Sequence, residues 1–259
     1  MLYNEELMSA IVLIPARYSS TRFPGKPLAL LQGIPVIEHV YRNSLHSRLA
    51  DDAIVATDSE EIYTTVLTFG GKAVMTSVDH ISGTDRIAEA AALLDYDIIV
   101  NVQGDEPLIK PEMIDEAISV LDDREASIGT LAKKLADRGE IFDPNVVKVV
   151  FDKKGFAFYF SRAPIPYYRD LFNAEGQLGA DVSGLFIFKH IGIYSYRRNV
   201  LQEISRIEPS RLEIIEKLEQ LRALEHGYKI KVRETFFETV GVDTPEDLER
   251  IEKCLNSSL

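Results

Sequence analysis

The chain has 259 residues, 46% of them hydrophobic, which is enough to build a sizeable core in one large α/β domain or two small ones. A formal net charge of −12 argues against a broad nucleic-acid surface, and no apolar run approaches the roughly 20 residues that span a bilayer. A single cysteine, Cys254, cannot form an internal disulfide and no charged-then-apolar signal segment opens the chain, so a reducing, cytoplasmic setting and a small-molecule partner are expected.

Short β-branched runs at IVLI (11–14), IVAT (54–57), KAVM (72–75) and IIVNVQ (98–103) alternate with helical periodicity near 35–48, 59–69 and 84–94. That alternation predicts βαβ units and a parallel sheet. Beyond residue 125 the rhythm changes. ASIGTLA, NVVKVVFD, GFAFYFSR and HIGIYSYR read as strands without full helices between them, which predicts antiparallel or mixed sheet, and helices follow near 210–226 and 245–256. No repeat, low-complexity tract or flexible linker forces a boundary. The expected architecture is one mixed α/β domain over 1–259, with a smaller lobe roughly within 130–200.

The first strand hands the chain to a loop, ARYSSTRFPGK, that carries Arg17, Arg22 and Lys26. Between Glu6 and Glu38 there is no carboxylate, where the composition predicts about five. Open α/β sheets bind ligands beyond the carboxyl ends of their strands, and this loop follows such an end. Arginine forks and a lysine point charge match phosphate oxygens, while Ser19, Ser20, Thr21 and Gly25 allow backbone N–H groups close to an anion. A polyphosphate is the natural ligand. A P-loop would need glycine where Ser20 stands, and no GxGxxG occurs, so ATPase and dehydrogenase readings weaken. An exposed, merely soluble basic loop is the bland alternative.

Two other strand ends carry acids. IIVNVQGDEP closes with Asp105 and Glu106 before Pro107, well placed for magnesium, which takes a few carboxylate oxygens plus substrate phosphates. Asp105 is the better candidate, against the alternative of an ordinary Asp-Glu turn. In VGVDTPEDLE, Thr244 can cap a helix that has Pro245 at its first position, with Glu246 and Asp247 complementing its dipole. That account does not use Asp243, and a carboxylate meeting Asp105 across the sheet would complete a metal site.

PARYSSTRFPGKPL, VATD (55–58), DHISGTDR (79–86), VNVQGDEP (100–107), FYFSRAPIP (158–166), HIGIYSYR (190–197), LEQLRAL (218–224) and GVDTPEDLE (241–249) run in order over nearly the whole chain. Together they resemble the 3-deoxy-manno-octulosonate cytidylyltransferase (CMP-KDO synthetase) family. The resemblance implies a Rossmann-like nucleotidyltransferase fold: a mixed, mostly parallel sheet flanked by helices, with a smaller dimerisation lobe. It implies transfer of CMP from CTP to the anomeric hydroxyl of the sugar acid KDO, with release of pyrophosphate, for lipopolysaccharide synthesis. Carried over by residue, it implies Arg17, Arg22 and Lys26 on the CTP phosphates and Asp105 and Asp243 on Mg2+. It also implies Ser82, Gly83 and Arg86 at the nucleotide, Gln103 between nucleotide and sugar, and Arg162, His190, Tyr194, Glu219 and Gln220 around KDO. The chain departs from the family pattern at Tyr167 and Tyr168, where an aromatic-acid pair is expected.

Without the resemblance, His190 and Tyr194 read equally well as core residues of an alternating strand, and Glu219 and Gln220 as a solvated helix face. Arg162 ends a largely apolar strand, so its guanidinium needs an anion or a nearby acid; the KDO carboxylate is the expected partner. The resemblance further implies a homodimer. Two rivals stand beside this reading: a cytidylyltransferase for another sugar acid such as sialic acid, and a non-catalytic nucleotide-binding regulator.

Overall fold

In the computed structural model, which describes residues 8–19, 23–80, 82–171, 178–179, 182 and 184–257, the chain runs through β1 (Ala10–Ala16), the short strands β2 (Leu30–Leu31) and β3 (Ile34–Pro35), α1 (Val36–Ser44), β4 (Asp52–Thr57), α2 (Glu60–Thr68), β5 (Ala73–Met75), α3 (Gly83–Ala92), β6 (Ile98–Asn101) and α4 (Pro111–Ser119). The second half adds β7 (Ile128–Lys134), α5 (Arg138–Phe142), β8 (Lys148–Phe151), β9 (Ala157–Ser161), β10 (Phe188–Arg197), α6 (Arg198–Ile204), α7 (Arg211–Glu216), α8 (Gln220–Glu225), β11 (Ile230–Glu234) and α9 (Pro245–Ser257). The side chain of Cys254 lies outside the described part.

β1 is apolar at successive positions because both of its faces are covered. Val12 and Ile14 pack in one core with Ile37, Val40, Ile62, Met113 and Ile114, so α1, α2 and α4 lie on that side. Ile11 and Leu13 pack in the other with Ile87, Ala91, Leu201 and Leu221, which puts α3, α6 and α8 opposite. Neighbouring strand residues point to opposite faces, so only a sheet sandwiched between helix layers can bury such a run. The strand order is β11-β7-β10-β6-β1-β4-β5, and β10 pairs antiparallel with both β6 and β7. The other strands of that path share one direction, giving a mixed, mostly parallel sheet flanked by helices, as expected.

β8 and β9 form an antiparallel pair that joins the main sheet through the first residues of β10. Beside them Leu135, Ile141, Leu178, Val182, Leu185 and Ile187 make a separate small core. The starts of α2, α3 and α7 follow the side-chain capping rule: Ser59 and Ser82 accept from Ile62 N and Asp85 N, and Ser210 with Glu213 forms a reciprocal capping box.

Three features differ from the sequence expectation. α4, α5, α6 and β11 are additional elements. The β2–β3 ribbon turns through Gln32 and Gly33, both at positive φ (51° and 78°), the geometry that twists two short strands together. The helix expected over 210–226 is broken at Lys217, whose φ of 56° ends α7 before α8 begins.

Candidate active site

The carboxyl ends of β1 and β6 open onto a cleft of two cavities. One of about 810 Å³ is lined by Arg17, Ser19, Lys26, Ser82, Gly83, Arg86, Asp105 and Asp243. The other, of about 280 Å³, is lined by His190, Tyr194, Tyr196, Glu219, Gln220 and Arg222. Gly83, Gln103 and Glu219 line both, so the cavities share a wall. Gln103 donates from its Nε2 to Asn101 Oδ1 at 3.2 Å, which holds its amide along that wall.

The basic loop closes on itself at this edge. Gly25 sits at φ 71° and donates its N–H to Tyr18 O at 2.9 Å, while a Cβ there would meet the Tyr18 ring at 3.3 Å; glycine fits both demands. Arg17 and Lys26 thereby face the larger cavity. Arg22 lies outside the described residues. At the end of β6, Gly104 allows a close approach to β1, since a Cβ would come within 2.8 Å of Pro15 O.

Asp105 and Asp243 come together although they are far apart in sequence. Leu31, Val36, Val242 and Ile251 form a core that docks α9 against the β2–β3 ribbon, and Val242 N donates to Asp105 O at 2.8 Å. Lys26 then bridges the two carboxylates, hydrogen-bonded to Asp105 and 3.3 Å from Asp243 Oδ1. Thr244 and Asp247 cap α9 reciprocally, as the sequence account of that segment requires, which leaves the Asp243 carboxylate turned to the cleft. An ammonium held between two carboxylates marks a place where positive charge is favoured. Among the described residues there is no cluster of three or more His, Cys, Asp or Glu suited to a metal. Magnesium needs no such cluster, because it binds through one or two carboxylates plus phosphate oxygens and water. The donor set fits Mg2+ beside a polyphosphate. Glu106 does not line either cavity; burial, reinforced by the charge of Asp105, pushes its carboxyl up to about 7.

Ser82 caps α3, so the amino end of that helix, with its partial positive charge, opens at Gly83 into the cleft. Arg86, one turn on, is buried and committed: it donates to Asp58 Oδ2 at 2.7 Å and to Thr76 Oγ1 at 2.6 Å. It ties the ends of β4 and β5 together beneath the larger cavity.

In the smaller cavity the structure brings together Gln103, His190, Tyr194, Glu219 and Gln220. The core reading of His190 and Tyr194 is also partly right, because His190 packs edge-on against Phe160 and Tyr194 stacks on Tyr196. Burial lowers the His190 pKa from 6.5 to about 3 and raises that of Tyr194. Glu219 and Gln220 border this cavity because the chain breaks just before them; Glu219 stays exposed, and Thr84 donates to its Oε2 at 2.7 Å.

The structure does not bring Arg162 to this cavity. Its Nε donates to Glu216 O at 2.7 Å, one terminal nitrogen to Pro144 O at 2.8 Å and the other to Lys217 O at 3.3 Å. The guanidinium finds its partners in backbone carbonyls and fastens the segment that forms the cavity wall. Two cations that sequence reasoning missed, Lys217 and Arg222, line the cavity instead. Lys217 carries no local signal, since its left-handed backbone is set by tertiary contacts; Thr84 lay beside Gly83 in a motif already singled out.

The His190 shift has a measurable sign. Between about pH 6.5 and 3 the unfolded chain binds a proton at this histidine that the folded chain refuses, so stability falls as pH drops through that window. The expected loss from this group is about 1.4 kcal/mol per pH unit below 6.5. Urea denaturation at pH 7 and pH 5 checks it: His190→Gln should flatten the pH dependence, and an unchanged slope would refute the assignment.

The comparisons with known proteins agree in direction. A family model described as "Cytidylyltransferase" matches residues 11–230. The chain is 53% identical over 258 residues to the 3-deoxy-manno-octulosonate cytidylyltransferase of Thermodesulfovibrio yellowstonii, covering 96% of this chain and 99% of that protein. It is 54% identical over 245 residues to the protein of the same name from Geotalea daltonii, covering 94% and 97%. A solved structure of CMP:2-keto-3-deoxy-manno-octonic acid synthetase complexed with CTP is 42% identical, with a TM-score of 0.88 over 97% of this chain and 100% of the other. A cytidylyltransferase from Leptospira borgpetersenii, at 17% identity and a TM-score of 0.63, shares the fold.

Proposed function

Because the chain belongs to the 3-deoxy-manno-octulosonate cytidylyltransferase family, we propose that it transfers CMP from CTP to the anomeric hydroxyl of KDO and releases pyrophosphate. The observation that carries this reading is the divided cleft, a larger cavity edged by cations and two carboxylates and a smaller one edged by polar and aromatic groups, sharing the wall at Gln103. Two substrates must meet at one reacting bond, and a shared wall is what that requires. The sialic-acid alternative is less favoured, since relatives with about half of their positions identical are named for KDO. A regulator that only bound nucleotide would have no use for the second cavity.

The chemistry is an in-line displacement. The anomeric oxygen of KDO forms a bond to the α-phosphorus as the bond to the β-phosphate oxygen breaks; the electron pair leaves with pyrophosphate and the hydroxyl proton passes to water. Arg17, Arg22 and Lys26 act on the departing phosphates, where charge accumulates, and the amino end of α3 adds oriented dipoles at Gly83. Gln103 orients both substrates from the shared wall. His190, Tyr194, Glu219 and Gln220 hold the sugar, while Lys217 offsets its carboxylate charge against the polyphosphate; Arg222 is already neutralised by Glu213. Asp105 and Asp243 would hold Mg2+, which when bound would supply positive charge near the reacting phosphate. No covalent enzyme intermediate is needed; catalysis rests on positioning and charge.

Lys26→Ala is expected to weaken CTP far more than CMP, on the order of tenfold or more against little change, because a charge-assisted contact to the leaving phosphates is lost. Calorimetric titration with both nucleotides decides it, and equal losses would move Lys26 to the α-phosphate. The activity itself is tested by pyrophosphate release from CTP with a panel of sugar acids and Mg2+. Turnover with KDO and not with sialic acid is expected; release with none would overturn the reading.

The chain works in the cytoplasm in lipopolysaccharide synthesis and pairs as a homodimer through the smaller lobe, a reading supported by exposed apolar side chains there: Phe158, Tyr167, Leu171 and Phe186. Among the described residues no helix is long and apolar enough to cross a membrane. Sedimentation analysis tests the dimer.

A further inference from the structure

Thr130, in the middle of β7, has no exposure to solvent, yet its hydroxyl oxygen lies within hydrogen-bond reach of three groups. They are His190 Nε2 at 2.9 Å, Ile193 O at 2.8 Å and Ile191 O at 3.3 Å. The two carbonyls come from an irregularity in β10: Ile191 faces Leu131 and Tyr194 faces Thr130, so Gly192 and Ile193 are extra on the β10 side. A bulge leaves carbonyls without ladder partners, and here a side chain takes them up.

Proton counting fixes the rest. A threonine hydroxyl has one hydrogen, and a carbonyl oxygen can only accept. The hydrogen goes to Ile193 O, the shorter contact, so Thr130 Oγ1 must accept from His190 Nε2, and Nε2 carries the ring hydrogen. The ring is neutral, packed against Phe160 and Tyr194, and among the described residues no carboxylate hydrogen-bonds to it. A neutral imidazole has one N–H, so Nδ1 presents a lone pair.

Resting on the reading of the smaller cavity as the acceptor-sugar site, we infer that Thr130 is a positioning residue for the transfer reaction. It locks His190 in the neutral Nε2–H form, so that Nδ1 accepts a hydrogen bond from a sugar hydroxyl and turns away the carboxylate end of the same substrate. Specificity for the orientation of the acceptor thus begins one residue behind the cavity. The bulge of β10 is what makes the lock one-way, because its carbonyls consume the only proton Thr130 could have offered to the ring.

The test is ¹⁵N NMR of the chain labelled at histidine, at pH 7.5, with the His190→Gln variant identifying the relevant signals. The hydrogen is expected on Nε2. In Thr130→Val, signals of the Nδ1–H form should appear and the KM for KDO should rise about tenfold or more, the equivalent of one lost hydrogen bond, with the KM for CTP changed less than about twofold. Thr130→Ser should restore both the tautomer and the KDO dependence. A wild-type ring carrying its hydrogen on Nδ1, or protonated on both nitrogens, overturns the inference, as does a folded Thr130→Val enzyme with unchanged KM for KDO. The wild-type spectrum needs no variant, so a Thr130→Val chain that fails to fold leaves the assignment decidable. A chain that shows the Nε2–H form but releases no pyrophosphate with any sugar acid overturns the acceptor-site reading and not the hydrogen-bond assignment.

Discussion

The Asp105→Asn variant is expected to fold and to lose turnover by on the order of a thousandfold, about 4 kcal/mol in barrier height. Asparagine keeps the shape and removes the charge that would hold Mg2+ against the reacting phosphate. Stability should change little, because the side chains of the Lys26 bridge are partly open to solvent, 28% for Asp105 and 48% for Asp243, and such pairs contribute at most about 1 kcal/mol. Asp243→Asn should show the same pattern. Its backbone N–H accepts no new role, since it already donates to Asp247. Steady-state rates with a melting curve for each variant separate the possibilities: full activity in a folded Asp243→Asn protein would return that residue to the helix start, and a joint loss of rate and stability would make both acids structural.

The largest effect on stability is expected from Glu213→Ala. Glu213 and Arg222 are 8% and 7% exposed and meet through two hydrogen bonds, Nε to Oε2 at 2.8 Å and a terminal nitrogen to Oε1 at 2.6 Å. Removing the acid leaves a buried guanidinium whose remaining hydrogen-bond partner among the described residues is Ile207 O at 3.0 Å, and breaking such a pair costs about 3 to 5 kcal/mol. Against a typical total of about 5 to 15 kcal/mol, that is enough to lower the urea midpoint markedly. Replacing both residues, as in Glu213→Leu with Arg222→Met, should recover much of the loss because no unpaired charge remains. If the single and double variants are equally destabilised, the pair is contributing packing and not charge compensation.

Much of the frame was legible from sequence because local and tertiary demands agree there. β1 is apolar at successive positions, and only a sheet covered on both sides satisfies that. Ser59 and Ser82 mark helix starts by themselves. α4 escaped, although Pro111 stands at a first helical position where its missing N–H costs nothing. α6 escaped because it follows β10 without a loop. In the site, the basic loop and Asp105 were readable from charge and from their place at strand ends; Asp243, expected at another strand end, lies instead in the loop between β11 and α9. Thr130 was not, since a threonine in a β-strand is ordinary until the register of β10 is known. Nor was the destination of Arg162: its sequence demands some partner, and only the fold reveals that carbonyls of Pro144, Glu216 and Lys217 supply it.

The segment from Glu216 to Gln220 is held from outside the cavity it borders. Ser161 and the Arg162 backbone donate to the Glu216 carboxylate, the Arg162 side chain takes the carbonyls at 216 and 217, and Leu218 N donates to Glu213 O. None of these anchors uses the side chains of Lys217, Glu219 or Gln220. Mutational drift can therefore rewrite the surface that a substrate meets while the scaffold beneath it stays under separate constraint. For a lineage whose acceptor sugar changes, this is the stretch where new selectivity can arise in single steps without passing through unfolded intermediates.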